Sequence, residues 1–157
     1  MPNAGGPFIC TFGFPSGARP SLAGSGSAPG CVCSPAGLAV DVAGNLWVAD
    51  SGNHRVQCFS PDGELLACWG EAGDGWGELR YPTDVALGPD GCVFVADPQH
   101  RCAWKFSASG EPLALLDRGA DGDPLIRPGR LAADETRLFL GDVGTGAVYV
   151  YDISGEG

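Results

Sequence analysis

The stretch Pro35–Glu64, PAGLAVDVAGNLWVADSGNHRVQCFSPDGE, decides the fold because the chain repeats it twice. Its copies are PTDVALGPDGCVFVADPQHRCAWKFSASGE from Pro82 and PGRLAADETRLFLGDVGTGAVYVYDISGE from Pro128. The opening prolines lie 47 and 46 residues apart, and the third copy is one residue shorter in the turn before Arg137. In each copy an aspartate closes the second apolar run (Asp50, Asp97, Asp142) and an aromatic follows nine positions later (Phe59, Phe106, Tyr151).

Within the first copy, GLAVD, LWVAD and RVQCF are separated by the turn segments VAGN and SGNH, and SPDG leads into a fourth run, LLACWG. Runs of four to seven residues rich in Val and aromatics, bounded by Gly, Pro, Asn or Asp, read as strands and not as helices. Four strands per ~40 to 50 residues is the length of one propeller blade. The fold class is therefore all-β, with about three four-stranded blades in one domain over residues 1–157.

Residues 35–59 resemble the NHL repeat family almost position for position through PAGLAVD, GNLWVAD and GNHRV, and the resemblance continues, weakening, to about residue 152. The Gly-rich connection GEAGDGWGELRYP at 70–82 is similar to that family's link between blades. The resemblance implies a β-propeller, often of six blades, used mostly as a binding platform.

The segment GGPFICTFG from Gly5 aligns with the fourth run of the first copy, so residues 8–13 read as a lone outer strand. The expected order is that strand, a Gly/Ser/Pro-rich loop at 14–34, blade 1 at 35–70, a linker at 71–81, blade 2 at 82–119, a linker at 120–127, and a third blade at 128–157 lacking its outer strand. That makes twelve strands, three blades' worth, whereas closed rings take ~4 to 8 blades. Two arrangements fit: a homodimer in which each N-terminal strand completes the partner's third blade in a six-bladed ring, or an open or partial propeller.

Strand alternation places the turns between second and third strands on one face, the top, together with the linkers. There the sequence offers His54, Arg55, Trp76, Arg80, Arg101 and Arg127, with Asp84 and Arg130 at the mouth of the axial channel, where pockets favour polar ligands. Asp50, Asn53, Asp97 and Asp142 read as turn residues, since a short carboxylate or amide accepts or donates bonds to nearby backbone. Trp47, Phe94 and Phe139, and the Phe59 set, read as packing between blades, each worth roughly 1.5–3 kcal/mol when buried.

With 9 Lys and Arg against 19 Asp and Glu, a net charge of −10 and a single Lys, the overall field repels phosphate backbones, so nucleic acid is a poor partner. A protein or peptide partner fits better. RNA binding through the top-face arginines is a further alternative implied by the family resemblance. No run nears the ~20 apolar residues that span a bilayer, and the N-terminus lacks the features of a signal peptide, so the expectation is a cytoplasmic protein without membrane attachment.

Seven cysteines, an odd number, read as buried free thiols. Only two histidines are present, His54 and His100, both on top turns, and no hydrolase, phosphate-binding or zinc-protease motif occurs. No cofactor, metal or catalytic residue is expected. The alternative is a metal-dependent hydrolase or lyase of the propeller type at the channel mouth, with Asp84 as its one carboxylate candidate.

Overall fold

The computed structural model describes residues 24–155. Its main strands fall into three antiparallel sheets. The first holds β3 (Pro35–Val40), β4 (Leu46–Asp50), β5 (Arg55–Phe59) and β6 (Leu65–Trp69), and the second β7 (Asp84–Leu87), β8 (Val93–Asp97), β9 (Cys102–Phe106) and β10 (Pro112–Leu116). The third holds β11 (Pro128–Ala133), β12 (Arg137–Asp142) and β13 (Ala147–Asp152), and among the described residues β13 is its edge. Helical structure is limited, among the described residues, to two three-residue 3-10 turns, Ser51–Asn53 and Pro98–His100. The strand proposed at 8–13 lies outside the described residues.

Side-chain alternation gives each blade two faces, and both are apolar because each packs on a neighbour. Trp47, Ala49, Val56 and Cys58 of blade 1 join Val85, Val95, Trp104 and Phe106 of blade 2 in one buried cluster. The opposite face of blade 2, with Ala86, Phe94 and Ala103, meets Leu138, Leu140 and Tyr149 of blade 3. Phe59, Phe94 and Phe106 are at most 2% exposed. Their aligned partners are only half-buried: Phe139 because the forward face of blade 3 ends the described stack, and Tyr151, which packs back on the blade 2 clusters, in the last described strand.

The first strands lie side by side at the axis, β7 against both β3 and β11. The close approach needs Gly37, where a Cβ would sit 2.4 Å from the Asp84 Cα. Asp84 Oδ2 in turn accepts the Leu131 N–H at 2.9 Å, and the Thr83 hydroxyl donates to the Gly129 carbonyl, so blades 2 and 3 are stitched at the axis.

Residues 24–34, read from sequence as part of a plain loop, are a third copy of the interblade linker. A two-residue parallel pair, β1 (Gly24–Ser25) with β2 (Cys31–Val32), includes Ser25↔Val32, and the same bridge recurs 47 residues later as Ala72↔Leu79. The linker before blade 3 closes through Arg118↔Pro124, and Leu79 and Leu125 are fully buried plugs.

The six cysteines among the described residues are free. Cys58, Cys92 and Cys102 are buried as expected, and burial pushes the Cys58 thiol up to about 11, that of Cys92 up to about 12 and that of Cys102 further up. Cys68 corrects the expectation: it is exposed, because β6 is an outer strand and Cys68 points away from the face that carries Ala67 and Trp69. Cys33 is exposed as well, and Cys31 is half-buried.

Candidate functional site

The three repeated aspartates hold the linkers to the blades. Asp50 accepts the Cys33 N–H at 2.7 Å, Asp97 the Arg80 N–H at 3.0 Å and Asp142 the Ile126 N–H at 2.8 Å. Cys33, Arg80 and Ile126 occupy equivalent places just before each blade's opening proline. The aspartates thus do more than cap their own turns: each latches the preceding linker over its blade.

Each latch is completed differently. In blade 1, Asp50 Oδ2 receives Asn53 Nδ2, Arg55 Nε and Gln57 Nε2. The Arg55 guanidinium also donates to the carbonyls of Ser27, Ala28 and Cys31, and Gln57 bonds Gly30 and Cys31. Arg55, expected as a binding residue on the top surface, is therefore only 9% exposed and spent on the linker carbonyls. That is a correction to the sequence reading, and its cause is that the linker lies directly over β5.

In blade 2, His100 stands between two carboxylates, with Nδ1 2.7 Å from Asp97 Oδ2 and Nε2 2.9 Å from Asp74 Oδ1. Arg80 also pairs with Asp74. Burial works against a charged His100 ring, but the Asp74 and Asp97 bonds outweigh it and raise its pKa above the ordinary value. Asp97 is itself pushed up, chiefly by burial, and its Oδ1 has no partner among the described residues. In blade 3, burial of Asp142 is outweighed by backbone donors from Ile126, Arg127, Thr145 and Gly144, leaving its carboxyl below the usual range.

The remaining expected residues divide between packing and a cleft. The Trp76 indole sits edge-on against Trp104 at 5.1 Å and so covers β9, although it is itself exposed. His54 packs against Tyr81 with ring centroids 4.5 Å apart and planes tilted by 58°, and its Nδ1 accepts the Tyr81 N–H at 3.3 Å, which leaves the neutral ring's proton on Nε2. Asp84 is occupied at the axis, as described above.

Arg101, Arg127 and Arg130 are brought together. They line one open cleft of about 640 Å³ across the tops of the blades, with Tyr81, Ile126 and Val143 as its exposed apolar parts. All three arginines are exposed, and among the described residues none makes a side-chain ion pair or hydrogen bond. Arg101 and Tyr81 both sit in the left-handed region, at φ 56° and 54°. At the place of Arg101 the third blade has Gly146. A non-glycine residue there costs of order 1–2 kcal/mol, so the cleft keeps two side chains that the backbone does not favour. Sequence reading found the arginines but not Ile126 and Val143, because apolar loop residues carry no pattern of their own.

Among the described residues no group of three or more His, Cys, Asp or Glu is placed to hold a metal ion.

The NHL repeat family model matches residues 32–59. The chain is similar to NHL repeat-containing protein 3 of Homo sapiens, 30% identical over 135 residues, which is 84% of this chain and 36% of that protein. It is 34% identical over 125 residues to E3 ubiquitin-protein ligase NHLRC1 of Homo sapiens, covering 79% of this chain and 31% of that one. This chain thus spans about a third of the length of these two relatives. Among solved structures, a virginiamycin B lyase from Staphylococcus aureus superposes with a TM-score of 0.53 at 17% identity, covering 76% of this chain and 41% of the lyase, a likeness of fold. The repeat match, the relatives and the latched four-stranded blades together make this chain an NHL-repeat protein with a β-propeller fold.

Proposed function

We propose that the chain is a non-enzymatic binding module whose top cleft docks an acidic segment of a protein partner. The observation that carries this reading is the convergence of Arg101, Arg127 and Arg130, none with a side-chain partner among the described residues, in a chain whose net charge is −10. Elsewhere Arg55, Arg80, Lys105 and Arg137 each face a carboxylate, and Arg118 donates to the Gly122 carbonyl. Three guanidinium forks left open toward one cleft suit carboxylates, which they bind bidentately. The apolar parts of Tyr81, Ile126 and Val143 suit a peptide that carries an aliphatic or aromatic side chain among its acids. Free thiols at Cys58, Cys92 and Cys102 fit a reducing, cytoplasmic setting.

The test is fluorescence anisotropy with a labelled Glu-rich peptide containing Leu and Trp, run beside a single-stranded RNA of equal length at low salt. The expected result is peptide binding that weakens at least tenfold in the Arg127→Glu/Arg130→Glu variant. RNA binding without peptide binding would transfer the cleft to the nucleic-acid reading. A melting temperature raised by added divalent metal, with turnover of an ester or lactone, would replace the binding reading with the hydrolase or lyase one.

A further inference from the structure

Asn53 of blade 1 and His100 of blade 2 occupy one aligned position and do the same job with different chemistry. Asn53 Nδ2 donates to Asp50 Oδ2 and to the Gly26 carbonyl of the preceding linker, both at 2.9 Å. His100 spans Asp97 Oδ2 at 2.7 Å and Asp74 Oδ1 of its own preceding linker at 2.9 Å. Both side chains therefore clasp a linker to a blade. An amide donates whatever the pH, whereas a ring with a carboxylate on each side needs a proton on each nitrogen.

The clasp on blade 2 holds a stretch that has no other polar fastener. Among the described residues, Asp74 to His100 is the one hydrogen bond or ion pair that joins residues 73–78 to a blade, and the others of that stretch stay within the linker. Trp76 lies in the same stretch, edge-on to Trp104 at 5.1 Å. Trp76 is 62% exposed, and Trp104 beneath it is 5% exposed. The two ends of the stretch are anchored separately, by the Ala72↔Leu79 bridge, by buried Leu79 and by the Arg80 N–H on Asp97. Residues 73–78 thus form a flap between fixed ends.

The charged groups that face His100 are Asp97 at the end of β8, Asp74 of the flap with Arg80 on its far side, and Arg101 next in the chain. Glu78 is turned onto the Gly75 N–H, and burial keeps the Cys102 thiol, paired across the strands with Asp97, in its protonated form. Burial disfavours a charged His100 ring, and the bonds to Asp74 and Asp97 outweigh it. The clasp is therefore complete below the unfolded histidine value of 6.5 and is lost as pH rises through the higher folded value. The proton that remains stays on Nδ1, because Asp97 is fully buried and a buried acceptor left without its donor costs more than one in water. Asp74, largely exposed, is the partner let go.

We propose that His100 is a proton-operated clasp on the flap 73–78: the doubly protonated ring closes the flap on blade 2, and loss of one proton to solvent frees Asp74, lifts Trp76 and bares the Trp104 ring. Opening also widens the adjoining cleft of about 530 Å³, which is lined by His54, Gly73, Arg80, Tyr81 and Gln99. The clasp is independent of the acidic-peptide reading of the arginine cleft, which stands or falls by its own test.

The experiment is fluorine NMR of the 157-residue chain with its four tryptophans replaced by fluorotryptophan, followed in reductant from pH 6.5 to about 9 beside the ring signals of its two histidines. Trp76→Phe assigns the Trp76 signal, and His54→Asn the His100 ring. The expected result is that the Trp76 and Trp104 signals shift with the same midpoint as the His100 ring. His100→Asn installs the residue of blade 1 and is expected to hold both signals at their low-pH positions throughout, and His100→Ala at their high-pH positions. Unchanged far-UV circular dichroism checks both variants, and if either fails to fold the wild-type midpoints decide. Tryptophan signals that stay fixed while His100 titrates, that shift at another midpoint, or that follow the wild-type profile in His100→Asn would overturn the proposal. So would a His100 ring that keeps one protonation state across the range.

Discussion

Blades 2 and 3 use the same aspartate for the same purpose and shift its carboxyl in opposite directions. Asp142 is surrounded by four backbone N–H donors from the linker and its own turn, which outweigh burial and favour its charge. Asp97 has only the backbone donors of Arg80 and His100 beside the His100 ring, so burial prevails and its carboxyl is pushed up. The lesson is that a repeat preserves the acceptor while its partners are chosen blade by blade. Blade 1 is a third solution, in which a buried arginine supplies the counter-charge.

Breaking the blade 1 latch is expected to have the largest effect. Arg55→Ala leaves Asp50 buried without its counter-charge and the Ser27 carbonyl without a donor, while the Ala28 and Cys31 carbonyls keep only the Cys31 N–H and Gln57 Nε2. A loss of about 3–5 kcal/mol is expected, the usual cost of removing one partner of a buried pair, read from the urea midpoint.

Asp142→Ala follows, at roughly 1–3 kcal/mol, for the backbone donors it leaves unpaired. The latch also has a pH signature. A carboxyl held below its ordinary value contributes stability that is present above the unfolded value of 3.8 and is lost as pH falls through the folded value. The wild type should therefore lose this contribution as pH falls below 3.8, and Asp142→Ala should lack it.

His100→Gln sharpens the contrast from the other side. Because two carboxylates face its two ring nitrogens, both contacts are attractive only when the ring carries both protons. A raised histidine contributes stability that is full below the unfolded value of 6.5 and is lost as pH rises through the folded value. The wild type should lose up to about 1 kcal/mol across that rise, as expected of a partly exposed pair, and His100→Gln should be flat there in a thermal melt series.

The smallest effect is expected at Asp97→Asn. The amide oxygen keeps an acceptor for the Arg80 N–H, one carboxylate oxygen has no partner to lose, and a charge disfavoured by burial is removed. A change within about 1 kcal/mol is expected, in contrast to Arg55→Ala.

The strands were legible because alternation, turn residues and proline spacing agree in three copies: LWVAD and RVQCF are β4 and β5 without adjustment. The first linker was not legible, since GSGSAPGCV shares only a single apolar anchor, Val32, with the linkers that bury Leu79 and Leu125. The roles of the polar top residues divided in the same way. Asn53 bonds Asp50 within its own turn, a contact of short range in sequence, and also reaches the Gly26 carbonyl. Arg55 reaches residues 24 to 28 positions away, and no local pattern announces that.

Sequence alone determined the repeat, its strands, its two apolar faces and the recurrence of one aspartate per blade, because these follow from periodicity and local backbone preference. Tertiary structure decided which polar residues are consumed and which remain for a partner. Arg55 and Arg101 each follow a histidine at the top of a blade, yet a linker folds over the first and an open cleft faces the second. Burial and pairing depend on what the chain brings over a residue from far away, and that is a property of packing.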